Sequence, residues 1–120
     1  MANQIVWCDI PVLDLDRAMK FYSAVLGQPV KKMDFPGTNV GILPHGDGEV
    51  GGCLFTSAEE RPTDKGVMVY LNANGRLDDA IAVVAPNGGK VVQPKHPIGP
   101  FGFRAIIIDS EGNRVALHSD

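Results

Sequence analysis

The sequence predicts an α+β fold in which two βαβββ modules follow one another and form curved mixed sheets around a cavity. The order strand, helix, three strands occurs twice along 120 residues. A shift of 62 residues superposes Leu15 with Leu77, Asp16 with Asp78, Ala18 with Ala80, Gly27 with Gly89 and Val30 with Val92. The 14 glycines and 9 prolines indicate many short elements joined by tight turns. We expect a single domain, with module one at about residues 1–60 and module two at about residues 65–120.

The first strand and the first helix follow from residue pattern and capping. Residues 5–12 are rich in β-branched and aromatic residues, which is typical of a strand. Residues 15–26 place apolar side chains three and four positions apart, along one helix face. Asp14 or Asp16 caps the start of this helix, and Gly27 ends it.

Three short strands complete the first module. They cover residues 30–35, 38–43 and 51–56, and clusters of turn-forming residues separate them. Residues 57–65 are polar, contain a proline, and are typical of a linker between the two modules.

The second module repeats the order of the first. Its predicted elements are a strand at residues 67–71, a helix at 77–85, and strands at 90–94, 103–109 and 114–118. Each helix can cover only one face of its sheet, so the opposite faces must pack on each other or around a ligand. The space between the modules is therefore the predicted place of a functional site.

Composition and charge exclude several classes of function. With 11 basic and 14 acidic residues the net charge is −3, and the chain lacks the basic stripe that binds nucleic acid. The longest apolar run, residues 80–85, is far short of the roughly 20 residues that span a bilayer. Residues 1–4 lack the basic start of an export signal. Cys8 and Cys53 lie in apolar runs as reduced thiols, so we expect a cytoplasmic protein.

Two stretches resemble the vicinal oxygen chelate superfamily. Residues 9–27, D-I-P-V-L-D-L-D-R-A-M-K-F-Y-S-A-V-L-G, resemble its first helix, and residues 109–118, D-S-E-G-N-R-V-A-L-H, resemble its last hairpin. That superfamily includes lactoylglutathione lyase (glyoxalase), extradiol dioxygenases and bleomycin-resistance-type binding proteins. The resemblance covers essentially the whole chain and implies the paired βαβββ fold and a homodimer whose modules complete each other's cavities. It does not choose between enzymes and pure binders.

The resemblance also implies four positions at which metal-dependent members hold one divalent ion. The first falls on Trp7 and the last on Ala116, and neither side chain ligates a metal. The fourth-strand position falls near residues 52–54, where Cys53 is the only conceivable ligand, and the fifth-strand position falls near residues 66–68, which offer none. So few donors cannot hold a metal ion against water. We therefore expect no metal and no other cofactor.

Alternation along the strands places further candidates beside these positions. Trp7 is interpreted as an aromatic platform for a planar ligand, its indole N–H orienting that ligand, or as core that fills the vacated space. Asp9 is a candidate acid or base, or an edge residue that caps a backbone N–H. Arg114 and His118 share a face with Ala116. His118 is a candidate general base, or a partly solvated residue near the chain end.

Residues 96–104 are rich in glycine and proline and are predicted to form a shaped loop. Such a loop at the cavity mouth serves as a lid, with Phe101 as an apolar contact and Arg104 as a clamp for an anion. The alternative is a loop whose aromatic residues, Phe103 above all, seal the core of the module. Tyr70 supplies a further aromatic wall for a ligand.

Two functions follow from these residues. In the first, the protein binds a small, planar or anionic metabolite or drug between its modules without a metal. The predicted ligand-binding residues are Trp7, Tyr70, Phe101, Arg104 and Arg114. In the second, it is a glyoxalase-like lyase, isomerase or dioxygenase-type enzyme acting on a small oxygenated metabolite, with His118 or Asp9 as base. A third possibility is a dimeric interaction module whose cavity is closed by Trp7. The vacant metal-ligand positions favour the first.

Overall fold

The chain folds into two four-stranded mixed sheets, each with one α-helix. A computed structural model describes residues 3–120, the Phe35 side chain excepted. The expectation about an export signal concerned residues 1–4, of which residues 1 and 2 lie outside the described residues. The elements are β1 (Trp7–Pro11), α1 (Leu15–Leu26), β2 (Lys31–Phe35), β3 (Thr38–Ile42), β4 (Gly51–Phe55), β5 (Val69–Asn72), α2 (Leu77–Ala82), β6 (Lys90–Pro97), β7 (Phe103–Ile108) and β8 (Arg114–Ser119). Among the described residues, no helix has the length and apolar character needed to cross a membrane.

Both sheets have the same strand order. It is β1-β4-β3-β2 in the first sheet and β5-β8-β7-β6 in the second. β1 runs parallel to β4, with Trp7 beside Gly51, and β5 runs parallel to β8, with Val69 beside Val115. The other strand pairs are antiparallel. The identical topology confirms the predicted tandem of two βαβββ modules.

The first helix, α1, begins and ends at the predicted residues. Asp14 is its N-cap and accepts the N–H of Arg17 at 3.0 Å, which decides between the two candidate caps. Gly27 ends it in the left-handed region with a φ of 71°, and its N–H donates to the carbonyl of Ser23 at 3.0 Å. Local capping therefore fixes both ends of this helix.

Several other boundaries differ from the predicted ones, and strand pairing or a proline explains three of them. β5 begins at Val69, later than predicted, because its ladder with β8 starts opposite Val115. α2 ends at Ala82, and a 3-10 turn that contains Pro86 follows, since a proline ring cannot continue an α-helix. β6 extends to Pro97, beyond its predicted end, because two register shifts against β7 accommodate its prolines.

One hydrophobic core joins the two modules. Phe21 and Leu54 from the first module pack in the same cluster as Leu77 and Ile107 from the second. The two helices also contact each other. The helix-bearing faces of the two sheets therefore share this core, and the other face of each sheet, which we call its helix-free face, lies away from it.

The turn between β7 and β8 carries a buried acidic network that joins the second module to α1. Asp109 is 2% exposed, and one of its oxygens accepts the Tyr22 hydroxyl at 2.5 Å. Its other oxygen accepts the N–H groups of Glu111 and Asn113 at 2.8 and 2.9 Å. Burial, and then the charge of Asp109, holds the pKa of Tyr22 well above its ordinary value, so the hydroxyl remains a donor.

Glu111, from the second module, accepts hydrogen bonds from backbone N–H groups just before α1. Its Oε1 accepts the N–H groups of Leu13 and Asp14 at 2.9 and 2.8 Å, and the Arg17 guanidinium donates to both carboxylate oxygens. The Glu111 side chain is fully buried and that of Arg17 is half exposed. The D-S-E-G-N stretch at residues 109–113, which suggested the family resemblance, therefore has a structural role in joining the modules.

Candidate functional site

The predicted site residues form two groups, one on each helix-free face. Trp7 and Asp9 belong to β1 in the first sheet, whereas Tyr70, Arg104, Arg114 and His118 belong to the second sheet and Phe101 to the turn between β6 and β7. Pairing places Arg104 opposite His118 across the β7–β8 ladder, so their side chains share a face. Tyr70 lies beside Ala116 in the β5–β8 ladder.

On the first sheet, Asp9 accepts two side-chain hydrogen bonds. The Trp7 indole N–H donates to Oδ1 at 2.9 Å, and the Cys53 thiol donates to the same oxygen at 3.3 Å. The Trp7 ring also meets the His45 ring edge to face, with centroids 5.8 Å apart. Asp9 thus binds side chains rather than the predicted backbone N–H, and the indole N–H is already used within the protein. The ring itself is 44% exposed and remains accessible to a planar ligand.

Both thiols in this region are poor nucleophiles at neutral pH. Burial and the charge of Asp9 raise the pKa of Cys8. Burial and the hydrogen bond to Asp9 raise the pKa of Cys53 from 9.0 to about 11. The thiolate is the reactive form of cysteine, so structural roles, as the sequence indicated, fit both residues.

On the second sheet, two neutral side chains hold Arg104. Its Nε–H donates to Nε2 of His96 at 2.9 Å, and its Nη1 group donates to the hydroxyl of Tyr70. Because Nε2 of His96 accepts, the ring proton lies on Nδ1, which is 2.8 Å from the carbonyl of Pro94, and the ring is neutral. Among the described residues Arg104 forms no ion pair, which leaves its charge and its Nη2 group available to an anion.

His118 adjoins the Arg104 group. Its ring centroid is 6.2 Å from that of Tyr70. Its Nε2 is 2.6 Å from the carbonyl of Phe101, so Nε2 carries a proton and donates to that carbonyl. An open hollow of about 520 Å³ lies beside these residues and is lined by Phe101, His118 and Asp120 among others. The second sheet and its β6–β7 turn therefore bring a cation, two aromatic rings and an imidazole together.

Arg114 is tied to the linker between the modules. Its Nη2 donates to the carbonyl of Gly66 at 2.8 Å, and its backbone N–H donates to the carbonyl of Thr63 at 3.2 Å. Its buried Nε has no partner among the described residues. Arg114 shares the strand of His118 but is not bonded into the Arg104 group.

The predicted lid at residues 96–104 is a hairpin turn rather than a free loop. His96 belongs to β6, and Pro97 pairs with Phe103 at the start of β7. A short 3-10 turn at Gly99–Phe101 joins the two strands. Phe103 is 39% exposed, so the alternative in which it seals the core is also wrong. The strand pairing accounts for both differences, because it fixes the segment at both ends.

His96 and His45 lie beside the predicted site residues, but neither histidine was given a role from the sequence. The contact of His96 with Arg104, eight residues apart, depends on the register shifts of β6 against β7. The position of His45 depends on Gly51, where an added Cβ would come within 2.8 Å of the imidazole. The short separation of His96 and Arg104 around a turn is the one sequence signal that favours their contact.

A cleft also lies against the first module and reaches the end of β5, where Asn72 contributes to its lining. This seam cleft has a volume of about 630 Å³, and its polar lining includes Gln28, Lys31, His45, Glu49 and Asn72. It adjoins an apolar hollow of about 270 Å³, whose walls include Ile10, Val69, Tyr70 and Leu71. The cleft and the hollow share Leu26, Leu43, Pro44 and Asn72. Tyr70 is the predicted site residue that lines this region.

The residues at the inherited ligand positions do not fit the family's divalent metal. Trp7 and the fully buried Ala116 occupy two of these positions, and Cys53 is engaged with Asp9. Within residues 3–120, no group of three or more His, Cys, Asp or Glu side chains is placed to hold a metal ion. A divalent ion needs several such donors, so the residues at these positions do not make up the family's metal site.

Comparison with known proteins decides the family. The sequence model of the Glyoxalase/Bleomycin resistance protein/Dioxygenase superfamily matches residues 4–117. The chain belongs to this superfamily. The resemblance to the vicinal oxygen chelate proteins is thereby confirmed.

Curated relatives of this superfamily member are much longer than it is. It is 31% identical over 112 residues to the protein named "Putative glyoxylase CFP32" of Mycobacterium bovis, and equally to the protein of that name from Mycobacterium tuberculosis. The match covers 90% of this chain and 41% of each relative. The chain therefore spans less than half the length of the curated relatives it matches.

Solved structures of the superfamily share its fold. A glyoxalase/bleomycin resistance protein from Albidiferax ferrireducens superposes with a TM-score of 0.79 and 18% identity, over 98% of this chain and 99% of that one. A glyoxalase I mutant from Zea mays gives 0.73 and 23%, over 95% of this chain and 45% of that one. The fosfomycin resistance protein FosX from Mesorhizobium loti gives 0.66 and 15%, over 100% and 94%. At these identities the likeness establishes the α+β fold.

Proposed function

We propose that this superfamily member binds a small, planar or anionic metabolite or drug between βαβββ modules without a metal ion. The observation that carries the proposal is the Arg104 guanidinium, which His96 and Tyr70 hold in place instead of a carboxylate. An arginine fixed by neutral acceptors keeps its full charge and a planar set of donors. Such a group binds an incoming carboxylate or phosphate without first breaking an ion pair.

Aromatic surface around Arg104 supports a planar ligand. Tyr70 is 44% exposed and Phe101 is 72% exposed. The Arg104 guanidinium carbon lies 5.9 Å from the centre of the Tyr70 ring. Exposed rings beside a fixed cation are typical of small-molecule sites, in which apolar walls bind the ligand body and a few polar groups orient it. Trp7 and Arg114 complete the proposed ligand-binding set, on the first sheet and on β8.

Salicylate, a planar carboxylate, is the probe for this proposal. We expect saturable binding in isothermal titration calorimetry and an affinity at least about tenfold weaker in Arg104→Gln, because hydrogen bonds to a charged group contribute about 1.5–3 kcal/mol. Arg61→Gln is the matched control, since Arg61 lies exposed in the linker and its guanidinium donates to the carbonyl of Ser57. This control should bind salicylate as the unchanged protein does.

Two results would contradict the proposal. Equal affinity of the unchanged protein and Arg104→Gln for salicylate would refute the anion site. Stoichiometric zinc, nickel, manganese or iron in the purified protein would refute binding without a metal, whatever the behaviour of Arg104.

A glyoxalase-like lyase, isomerase or dioxygenase-type enzyme is the second candidate function. The name of the mycobacterial relatives favours it, and so does His118, an imidazole opposite the cation Arg104 in the β7–β8 ladder. An acceptor nitrogen next to an anion site suits a general base. Asp9, the other candidate base, already accepts bonds from Trp7 and Cys53. Conversion of a small oxo or hydroxy acid that is lost in His118→Ala would favour the enzyme, and recovery of the acid unchanged would favour the binder.

A homodimer is part of the proposal, with the second copy covering the helix-free faces. Trp7, Met33 and Tyr70 are 44%, 47% and 44% exposed there, which leaves apolar surface that a partner can cover. The longer relatives support the same arrangement, since more than half of each lies outside the match and leaves room for a further domain. In the homodimer that we propose, a second copy covers the helix-free faces.

Light scattering checks the oligomeric state. We expect twice the chain mass of 12.8 kDa for the unchanged protein and a single chain mass for Met33→Glu, because a carboxylate in an apolar interface is costly. Glu60→Lys, a charge change in the exposed linker, should remain dimeric. A single chain mass for the unchanged protein at micromolar concentration would contradict the proposal.

We propose that the protein is a single domain and acts in the cytoplasm. Cys8 and Cys53 are unbridged and poorly reactive, which supports a reducing compartment. The shared core of the two modules supports one folding unit. The net charge of −3 gives no support to a role in nucleic-acid binding.

A further inference from the structure

The seam cleft is a second place on the molecule with room for a ligand. Its volume of about 630 Å³ lies within the range of small-molecule pockets, roughly 300–1,000 Å³. Together with the adjoining apolar hollow it reaches the junction of the two modules, where such pockets are common. Its polar lining does not include Arg104, His96 or His118. The polar groups that recognise a ligand of this cleft are therefore other than those of the anion site, and only Tyr70, a wall of the adjoining hollow, belongs to both regions.

The lining of the cleft includes one cation and one carboxylate, and neither forms an ion pair with any of the described residues. These are Lys31 and Glu49. The next lysine, Lys32, by contrast pairs with Asp16 at 2.8 Å. Glu49 Oε1 accepts the N–H of Gly46 at 2.6 Å, which orients the carboxylate and leaves Oε2 open. A ligand with both a carboxylate and an ammonium group matches this pair of charges.

The apolar hollow defines the rest of the ligand. Its volume is about 270 Å³, and its walls include Ile10, Val69, Tyr70 and Leu71. An engineered apolar cavity of about 150 Å³ binds benzene, so the hollow has room for one aromatic ring. Asn72 lines both the cleft and the hollow, so one compact molecule can reach from the charged groups to the apolar walls.

We propose that the seam cleft binds an aromatic α-amino acid or a similarly compact aromatic zwitterion. The ring enters the apolar hollow, the ligand carboxylate pairs with Lys31, and the ligand ammonium group pairs with Glu49. His45 forms part of the same wall, with Nδ1 2.9 Å from the carbonyl of Leu43 and its ring against Trp7. The proposal does not rest on the anion site at Arg104.

L-Phenylalanine is the probe for the seam cleft. We expect it to shift the nuclear magnetic resonance signals of the Gln28 and Asn72 side-chain amides saturably. Trp7, the single tryptophan of the chain, should change its fluorescence with the same midpoint, because its ring contacts His45. Phenylacetate, which lacks the ammonium group, and 2-phenylethylamine, which lacks the carboxylate, should each bind at least about tenfold more weakly.

Charge variants locate the two ends of the ligand. Lys31→Gln and Glu49→Gln should each weaken the binding of L-phenylalanine about tenfold. Glutamine at position 49 retains a side-chain oxygen for the Gly46 N–H, so the loop is preserved. Lys32→Gln is the matched control, since Lys32 neighbours Lys31 but pairs with Asp16, and it should leave the affinity unchanged.

Three outcomes would overturn the proposal. They are the absence of saturable shifts up to about 10 mM L-phenylalanine, an affinity that neither Lys31→Gln nor Glu49→Gln changes, and shifts confined to Arg104 and His118. The last outcome would place the amino acid at the anion site. Failure of salicylate to bind would refute the anion site and leave the seam cleft unaffected.

Discussion

Replacing Glu111 by alanine should lower the free energy of unfolding by about 3 kcal/mol, because the change leaves several donors without an acceptor. The carboxylate accepts the N–H groups of Leu13 and Asp14 and the guanidinium of Arg17, and its side chain is fully buried. Urea unfolding followed by circular dichroism measures the loss. Glu60→Ala, in the exposed linker, is the control and should change stability by less than about 0.5 kcal/mol.

The Glu111 carboxylate should also make the free energy of unfolding depend on pH. Burial opposes its ionisation, but hydrogen bonds from Arg17, the Asp14 N–H, Ser110 and the Leu13 N–H outweigh burial and lower the pKa of Glu111 from 4.5 to about 2. The unfolded chain therefore binds a proton near pH 4.5 and the folded chain only near pH 2. The stabilisation is complete above about pH 4.5 and is lost as the pH falls towards about 2.

We expect this pH-dependent part of the stability to be about 2 kcal/mol. It is smaller than the total obtained by counting about 1.36 kcal/mol for every unit between the two pKa values of Glu111, because water screens the half-exposed Arg17. Glu111→Gln should flatten the fall of stability over this range. An unchanged acid profile in Glu111→Gln would show that other carboxylates dominate acid unfolding.

Replacing Asp109 by alanine should have a comparable effect, a loss of about 3 kcal/mol of unfolding free energy. The change leaves the fully buried Tyr22 hydroxyl, the N–H of Glu111 and the N–H of Asn113 without their acceptor. Each buried donor that loses its partner costs about 1–3 kcal/mol, and part of that cost is relieved by relaxation of the turn. Urea midpoints of the variant and the unchanged protein measure the difference.

Two further variants delimit the Asp109 prediction. Tyr22→Phe removes one donor of the network and should cost about 1 kcal/mol, since it deletes a single hydrogen bond and leaves the ring in place. Asp47→Ala, in the exposed turn before β4, should be nearly neutral. A loss in Asp109→Ala no larger than that in Asp47→Ala would mean that the network does not stabilise the junction of the modules.

Local chemistry made much of the fold predictable. α1 follows from an apolar face of helical period and from caps at Asp14 and Gly27, which act within one helical turn. The tandem modules follow from the internal repeat, since equivalent residues face equivalent physical constraints. The extension of β6 to Pro97 was not predictable, because strand pairing with β7 overrides the preference of proline to interrupt a strand.

The candidate site was predictable only in its parts. Strand alternation placed Arg114 and His118 on one strand face and grouped Trp7 with Asp9, because side chains of a strand alternate strictly. The contact of Arg104 with His96 was not predictable from the sequence. It depends on the register of β6 against β7, and irregularities in β6 shift that register. The seam cleft likewise depends on tertiary structure, since its lining joins residues between 26 and 49 with Asn72.

The sequence by itself determined the family, the order of the elements and the lack of suitable donors at the inherited metal positions. These are properties of residue identity and of contacts between near neighbours. The tertiary structure decided that Arg104 is held by neutral groups, that Glu111 and Asp109 join the modules, and that Lys31 and Glu49 line one cleft. The physical reason is that these relations join residues distant along the chain, so the register of the sheets and the shared core determine them.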